Sequence, residues 1–173
     1  SFILPQRDGT NPDYLSAVTD WHDAIAEVWR EAIDTHLARG GGPRVALLVW
    51  GDPSLYDSSL RIADRVARQM PLRLTVIPGI TAIQALCAAH AIALNSLAAP
   101  VTITTGRLLR AEDWPAGAGT LVVMLDSGGA FSTLQGDDIR IWWAAFLGLP
   151  EQILLSGRLS EIGPEILAAR TEA

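Results

Sequence analysis

The chain has 173 residues, of which 49 % are hydrophobic, and its one cysteine excludes an intrachain disulfide and a cysteine-rich zinc site. The net charge is −6, and all 13 basic residues are arginines without a dense basic run, so we expect no binding to nucleic acid. We find neither a charge-free run of about 18 apolar residues nor a signal segment, and we therefore expect a soluble cytoplasmic protein that does not bind membranes.

The first predicted element is a long helix. It follows Asn11-Pro12, a capping residue and a proline, which is typical of a helix start, and it ends at the glycine run 40–42. Its predicted apolar face, with spacings of three and four, comprises Tyr14, Val18, Trp21, Ile25, Val28 and Ala32. An α/β domain usually opens with a strand, and this chain begins at Ser1 with a helix as its first element. We therefore expect a fragment, or a chain that lacks an N-terminal part.

The next element is a predicted buried strand at residues 45–50, five aliphatic residues followed by Trp50. It stops at Gly51-Asp52-Pro53, where the backbone must turn sharply, and an amphipathic helix is predicted at 58–69. A strand, a tight glycine turn and a helix start form the kind of corner at which α/β sheets bind ligands.

A second corner follows the same plan. Residues 72–77 are a predicted strand, the chain turns at Pro78-Gly79-Ile80, and a helix of small apolar residues is predicted at about 81–90. Cys87 lies in this helix and is predicted to be a small buried core residue. The alternation of strand and helix through residue 90 predicts a parallel sheet.

The second half of the chain is richer in strands. Residues 91–100 are irregular and apolar, and we interpret them as a linker between an N-terminal α/β lobe, residues 1–97, and a C-terminal lobe, residues 98–173. Strands are predicted at 101–105, 120–125, 139–146 and 152–159, and a helix at about 161–170. Successive strands with few intervening helices predict a mixed sheet in the C-terminal lobe.

The two corners together resemble the tetrapyrrole (corrin/porphyrin) methylases. The residues that carry this resemblance are Val-Trp-Gly-Asp-Pro-Ser-Leu-Tyr at 49–56 and Val-Ile-Pro-Gly-Ile-Thr-Ala at 76–82. Three further segments, 93–107, 122–126 and 146–159, resemble the corrin C-1 methylases of the aerobic cobalamin pathway. The likeness runs from about residue 10 to 170. Those enzymes also carry a Gly-rich loop near the N-terminus, and residues 1–10 do not match it.

The resemblance implies a two-lobed α/β fold and the cofactor S-adenosyl-L-methionine. It also implies a precorrin substrate, methylated at C-1 with release of acetate, and a possible homodimer. Residues implied to bind the cofactor are Trp50, Gly51, Asp52, Leu55, Tyr56, Thr81, Ala82, Met124, Leu125 and Ala145. The glycine of such a corner lets the backbone approach a ligand closely. Asp52 could bind ribose hydroxyls or an amino group, or it could cap its own turn.

Arg107 and Arg158 are candidate substrate-binding residues, because each follows a glycine at a predicted strand end and a guanidinium pairs bidentately with a carboxylate. A role in surface solubility is the alternative for both. Methyl transfer from a sulfonium to carbon requires in-line positioning and neither a metal nor a covalent enzyme intermediate. We therefore predict no metal site, and no catalytic residue can be named from the sequence.

The three histidines show no ligand spacing. His22 and His36 are predicted to be surface residues of the first helix, and His90 is predicted to end its helix. Two alternatives to a corrin C-1 methylase stay open. One is a related methylase that acts on another carbon or on a protein side chain, and the other is a non-catalytic binding or scaffold protein.

Overall fold

The computed structural model describes residues 3–136 and 138–172. The chain divides into two compact units, Ser1–Gly79 and Ile80–Ala173, while the lobe boundary after residue 97 stays a prediction. The elements in order are α1 (Tyr14–Ala38), α2 (Ser59–Ala67), α3 (Ala82–Ala89), β1 (Val101–Thr105), α4 (Gly106–Glu112), β2 (Thr120–Met124), a 3-10 turn (Ala130–Thr133), β3 (Arg140–Ala145), β4 (Ile153–Arg158) and α5 (Leu159–Glu172). None of the helices in the described residues is both long and apolar enough to cross a bilayer.

Helix α1 begins later than predicted. The side chain of Asp13 accepts hydrogen bonds from the amides of Leu15 and Ser16, at 3.0 and 3.1 Å, and so caps the first turn. Asn11 instead accepts the Asp13 amide at 2.9 Å, so it orders the approach to the helix and does not cap it. The predicted start at Asn11-Pro12 was therefore two residues early.

The core of the first unit is the interface between α1 and α2. The buried residues of this cluster are Ile25, Ala26, Trp29, Ile62, Ala63 and Val66. Of the predicted apolar face of α1, Ile25 is fully buried, whereas Tyr14 is 48 % exposed. The buried face is rotated toward His22 because α2 packs against that side of the helix. The prediction that His22 is a surface residue was therefore wrong, whereas His36 is exposed as predicted.

The two strands predicted in the first unit are not strands. Residues 45–50 and 72–77 have no assigned secondary structure, and Leu48 and Ile77 are 101 % and 83 % exposed. A strand needs a hydrogen-bonded neighbour, and within the described part of the first unit neither segment enters a ladder. Many of the apolar side chains that suggested buried strands are therefore exposed.

The second unit contains all the assigned sheet structure of the described chain. Strands β1 and β2 pair in parallel, with Val101 opposite Thr120, and β3 and β4 pair antiparallel, with Arg140 opposite Arg158. The four predicted strands and the mixed orientation are confirmed. The short helix α4 was not predicted; it begins directly after β1, where the Thr105 hydroxyl accepts the amide of Leu108 at 3.3 Å.

The second core lies beneath β3, β4 and α5. Its buried residues are Phe131, Leu159 and Ile166, and half-buried side chains such as Trp143 and Leu155 pack around them. Alternate residues of β3 and β4 supply this cluster, as expected for strands with one covered face.

We predict that Ile25→Ala lowers the free energy of unfolding by about 2–5 kcal/mol, because the deletion leaves a cavity in the α1–α2 core. Ile77→Ala is the matched control, since the same residue type is 83 % exposed there and should change stability by within about 0.5 kcal/mol. Urea unfolding of both variants checks this. Equal losses at the two positions would show that the α1–α2 interface is not the core of the unit.

Candidate functional site

The turn of the first corner touches Gly79 of the second corner, the last residue of the first unit. The amide of Gly79 donates to Oδ2 of Asp52 at 2.7 Å. A Cβ added at Gly79 would lie 2.0 Å from the carbonyl oxygen of Gly51, a distance that no side chain tolerates. Only glycine at position 79 therefore permits this approach of one corner to the other.

Asp52 binds within its own corner. Its Oδ1 accepts the amide of Ser54 at 2.9 Å and the hydroxyl of Ser54 at 2.5 Å. The hydroxyl of Ser54, followed by the amide of Gly79, holds the pKa of the Asp52 carboxyl below its usual value. Of the two roles open for Asp52, the structure supplies contacts for the turn-capping one. The role toward a ribose or amino group stays a prediction.

Three of the residues predicted to bind the cofactor lie in the left-handed region of the backbone. Gly51 has φ of 80° and Tyr56 has φ of 49° in the first corner. In the second unit Leu125 follows β2 with φ of 51°, and Phe146 follows β3 with φ of 53°. A non-glycine residue in this region costs of the order of 1–3 kcal/mol, and such residues cluster where a site is held in a fixed geometry.

A cavity of about 560 Å³ lies within the second unit. It brings together three of the predicted cofactor residues, Ala82, Met124 and Leu125. Its wall is mostly apolar and also includes Cys87, which is half-buried beside the cavity and not enclosed in a core as predicted. Its volume is in the range of cavities that hold small molecules and cofactors. Ala145 does not line it, whereas the neighbouring Ala144 does.

Thr81 has a structural role at the start of α3. Its amide donates to Oε1 of Gln84 at 2.8 Å, and its hydroxyl accepts the amide of Gln84 at 3.4 Å, which completes a capping box. Helix α3 ends at Ala89 with His90 as its cap, as predicted. The ring Nε2 of His90 donates to the carbonyl of Trp143 at 3.0 Å and ties α3 to β3. A cofactor role of Thr81 stays a prediction.

The remaining predicted residues lie on exposed surface or on separate elements. Trp50 is 86 % exposed in the first corner, and Leu55 is half-buried. Arg107 is exposed on α4, and Arg158 is exposed at the end of β4, opposite Arg140 in register. The two predicted substrate-binding arginines therefore stand on different elements of the second unit.

Asp126 was not predicted. Its Oδ1 forms an ion pair with Arg110 at 3.0 Å, and its Oδ2 accepts the amide of Ala130 at 2.8 Å. Its backbone carbonyl accepts a hydrogen bond from Arg170 at 2.6 Å. These contacts fix the residue directly after the left-handed Leu125. The sequence feature that could have indicated Asp126 is an acidic residue between a strand and the glycine pair 128–129.

Comparison with known proteins identifies the family. The family model of the Tetrapyrrole (Corrin/Porphyrin) Methylases matches residues 4–163. The chain belongs to this family. The methylase fold, with α/β units and both parallel and antiparallel pairing, is confirmed.

Individual relatives show which members of the family this chain is similar to. A Sinorhizobium protein named precorrin-6A synthase [deacetylating] is 44 % identical over an alignment of 174 positions that covers 99 % of this chain. The chain spans 66 % of that relative's length. A crystal structure of a putative cobalamin synthesis related protein (CobF) from Corynebacterium diphtheriae is 39 % identical, with a TM-score of 0.76, over 91 % of this chain and 68 % of that one. A Sinorhizobium precorrin-2 C(20)-methyltransferase is 38 % identical over 80 residues, 46 % of this chain and 29 % of its own length.

We predict that Asp52→Asn makes the protein less stable at neutral pH and flattens its acid unfolding. Because the folded-state pKa of Asp52 is lowered, the stabilisation by its carboxylate is present above the unfolded value near ~3.9 and is lost as the pH falls through the folded value. Thermal unfolding between pH 2.5 and 7 measures this. Ser54→Ala removes the larger cause and should reproduce part of the effect; identical pH profiles for the wild type and Asp52→Asn would contradict it.

Proposed function

We propose that this methylase acts as a precorrin-6A synthase (deacetylating). In this reaction precorrin-5 is methylated at C-1 with S-adenosyl-L-methionine as donor, and acetate is released in the course of cobalamin biosynthesis. The observation that carries the proposal is the identity of 44 % to a relative of that name over 99 % of this chain. The structural likeness to the CobF protein supports the same placement within the family. A cytoplasmic location and a homodimer belong to the same proposal.

The residues present suit the proposed cofactor. The cavity of the second unit is large enough for a nucleoside, and Ala82, Met124 and Leu125 give it the apolar wall that an adenine ring requires. In the first unit, Gly51 turns the backbone at φ of 80°, a conformation that a residue without a Cβ adopts at little cost. When bound, S-adenosyl-L-methionine supplies the methyl group from its sulfonium.

The protein's part in this chemistry is orientation. Substitution at carbon needs the reacting atoms held in line at near-attack distance. The protein lowers the barrier by holding them there, and no protein nucleophile is required. Backbone that is locked in a strained geometry at Tyr56 and Leu125 suits this purpose, because a rigid wall holds a ligand in one pose. We assign Arg107 and Arg158 to the carboxylate side chains of the precorrin, which guanidinium groups bind bidentately.

A second candidate is a methylase of the same family that acts on another carbon. The precorrin-2 C(20)-methyltransferase favours it, since 80 residues of this chain are 38 % identical to that enzyme. The match to precorrin-6A synthase is more than twice as long and carries the higher identity. We therefore favour C-1 methylation.

For the cofactor role of the first corner, we predict that Gly51→Val weakens binding of S-adenosylhomocysteine at least about tenfold, because valine at φ of 80° forces the turn to rearrange. Gly40→Val is the matched control, since Gly40 has φ of 76° and no atom within 4 Å of an added Cβ. Calorimetric titration of both variants separates loss of the turn from general backbone strain. Equal affinities of the two variants would refute the placement of the cofactor at this corner.

For the reaction, we predict that incubation of the protein with precorrin-5 and methyl-labelled S-adenosyl-L-methionine yields a labelled tetrapyrrole and free acetate in equal amounts. Mass spectrometry of the tetrapyrrole and an acetate assay measure the two products. Precorrin-2 is the competing substrate. Label transferred to precorrin-2 and not to precorrin-5 would favour the second candidate, and S-adenosylhomocysteine binding without transfer to either would favour a non-catalytic binding protein.

A further inference from the structure

His22 is a buried polar side chain whose function the proposed chemistry does not explain. It lies on the buried face of α1 and is 4 % exposed. Its Nε2 forms a hydrogen bond with the hydroxyl of Ser58 at 2.8 Å. A buried imidazole is costly unless it is hydrogen-bonded, so this contact accounts for how the residue is tolerated.

Ser58 stands at the end of the first corner. It is the residue before α2, yet its side chain makes no capping bond to that helix. The neighbouring Asp57 instead accepts the amide of Ser59 at 2.6 Å. The hydroxyl of Ser58 is therefore left for His22, and the bond joins α1 to the end of the corner.

The corner is thus held at both ends. Near its start, Asp52 binds the amide of Gly79 at 2.7 Å, and at its end Ser58 binds His22 at 2.8 Å. Between these two anchors lies Tyr56 in the left-handed region, with φ of 49°. A strained residue keeps its conformation only where the surrounding contacts fix both sides of it.

The charges around His22 favour its neutral form. Burial, followed by the nearby guanidinium groups of Arg65 and Arg61 on α2, lowers the pKa of the imidazole, and Asp23 on α1 opposes this shift. Asp23 is itself ion-paired with Arg65. Because the folded-state pKa of His22 is lowered, the stability that its neutral ring contributes is complete above the ordinary value of 6.5 and is lost as the pH falls through the lower folded value.

We propose that His22 is a positioning residue for the cofactor corner, which it holds through Ser58 in the geometry that presents Tyr56. It needs no contact with the ligand to do so. The inference rests on the proposed function, in which the strained backbone at Tyr56 forms part of the rigid wall that holds the ligand. It extends that function to a residue on a helix outside both corner motifs.

Binding of S-adenosylhomocysteine to the 173-residue chain tests the proposal. We expect wild-type affinity to fall as the pH drops from 7.5 to 5. His22→Gln places an amide near the position of Nε2 and does not titrate, so its affinity should stay within about twofold of wild type at pH 7.5 and be flat with pH. His22→Leu and Ser58→Ala remove the bond and should each lose about tenfold at pH 7.5.

His36→Gln is the matched control, because His36 lies on the same helix, is exposed, and bonds the carbonyl of Gly42. It should keep the wild-type affinity and pH profile. A purely structural role for His22 would lower the melting temperature of His22→Leu without changing the affinity of the folded protein. That result, or a pH profile of His22→Gln equal to wild type, would overturn the proposal.

A readout without ligand separates this inference from the proposed function. The chain has two tyrosines, so in a Tyr14→Phe background the ring resonances of ¹³C-labelled tyrosine report on Tyr56 alone. We expect these resonances to shift with the same midpoint as the His22 ring protons, and the shift to vanish in His22→Gln. Independent titration would refute the positioning role. Coupled titration with no S-adenosylhomocysteine binding would refute only the proposed function.

Discussion

The hydrogen bond from the Gly79 amide to the Asp52 carboxylate joins the two corners, and the geometry of the first unit's candidate site depends on it. The bond is possible because Gly79 has no Cβ, which would otherwise lie 2.0 Å from the Gly51 carbonyl. Two sequence-distant turns thereby become one surface. Helix α2 begins at Ser59, directly after the first corner, and packs against α1. The α1–α2 core therefore fixes the position of the end of this corner.

Backbone strain occurs at predicted cofactor residues of each unit. Tyr56 in the first unit, and Leu125 and Phe146 in the second, take a left-handed conformation, which persists only where neighbouring structure stabilises it. For Leu125 that structure is the ion pair of Asp126 with Arg110 and the bond from Arg170. Phe146 was absent from the prediction because side-chain type alone does not indicate a positive φ.

Much of the fold could be predicted, because local periodicity and capping govern most elements. The strands of the second unit and helices α2, α3 and α5 follow directly from apolar spacing. Segments 45–50 and 72–77 were wrongly predicted to be strands. A strand needs a hydrogen-bonded partner, and the periodicity of a segment does not identify that partner. His22 was misplaced for a related reason, since its burial depends on the packing of α2 and not on α1. The two corners of the site could be predicted from the sequence, whereas the hydrogen bonds that fix them are seen only in the three-dimensional structure.

Asp52 can cap its own turn and still form one hydrogen bond with a ligand. A carboxylate offers about four acceptor positions, and the amides of Ser54 and Gly79 together with the Ser54 hydroxyl occupy three. One position is left for a ligand, so a ribose hydroxyl or an amino group could gain one bond without displacing a corner bond. A ligand that took two would release Gly79 or Ser54 and loosen the turn. A ligand with further polar groups therefore needs partners other than the Asp52 carboxylate at this corner.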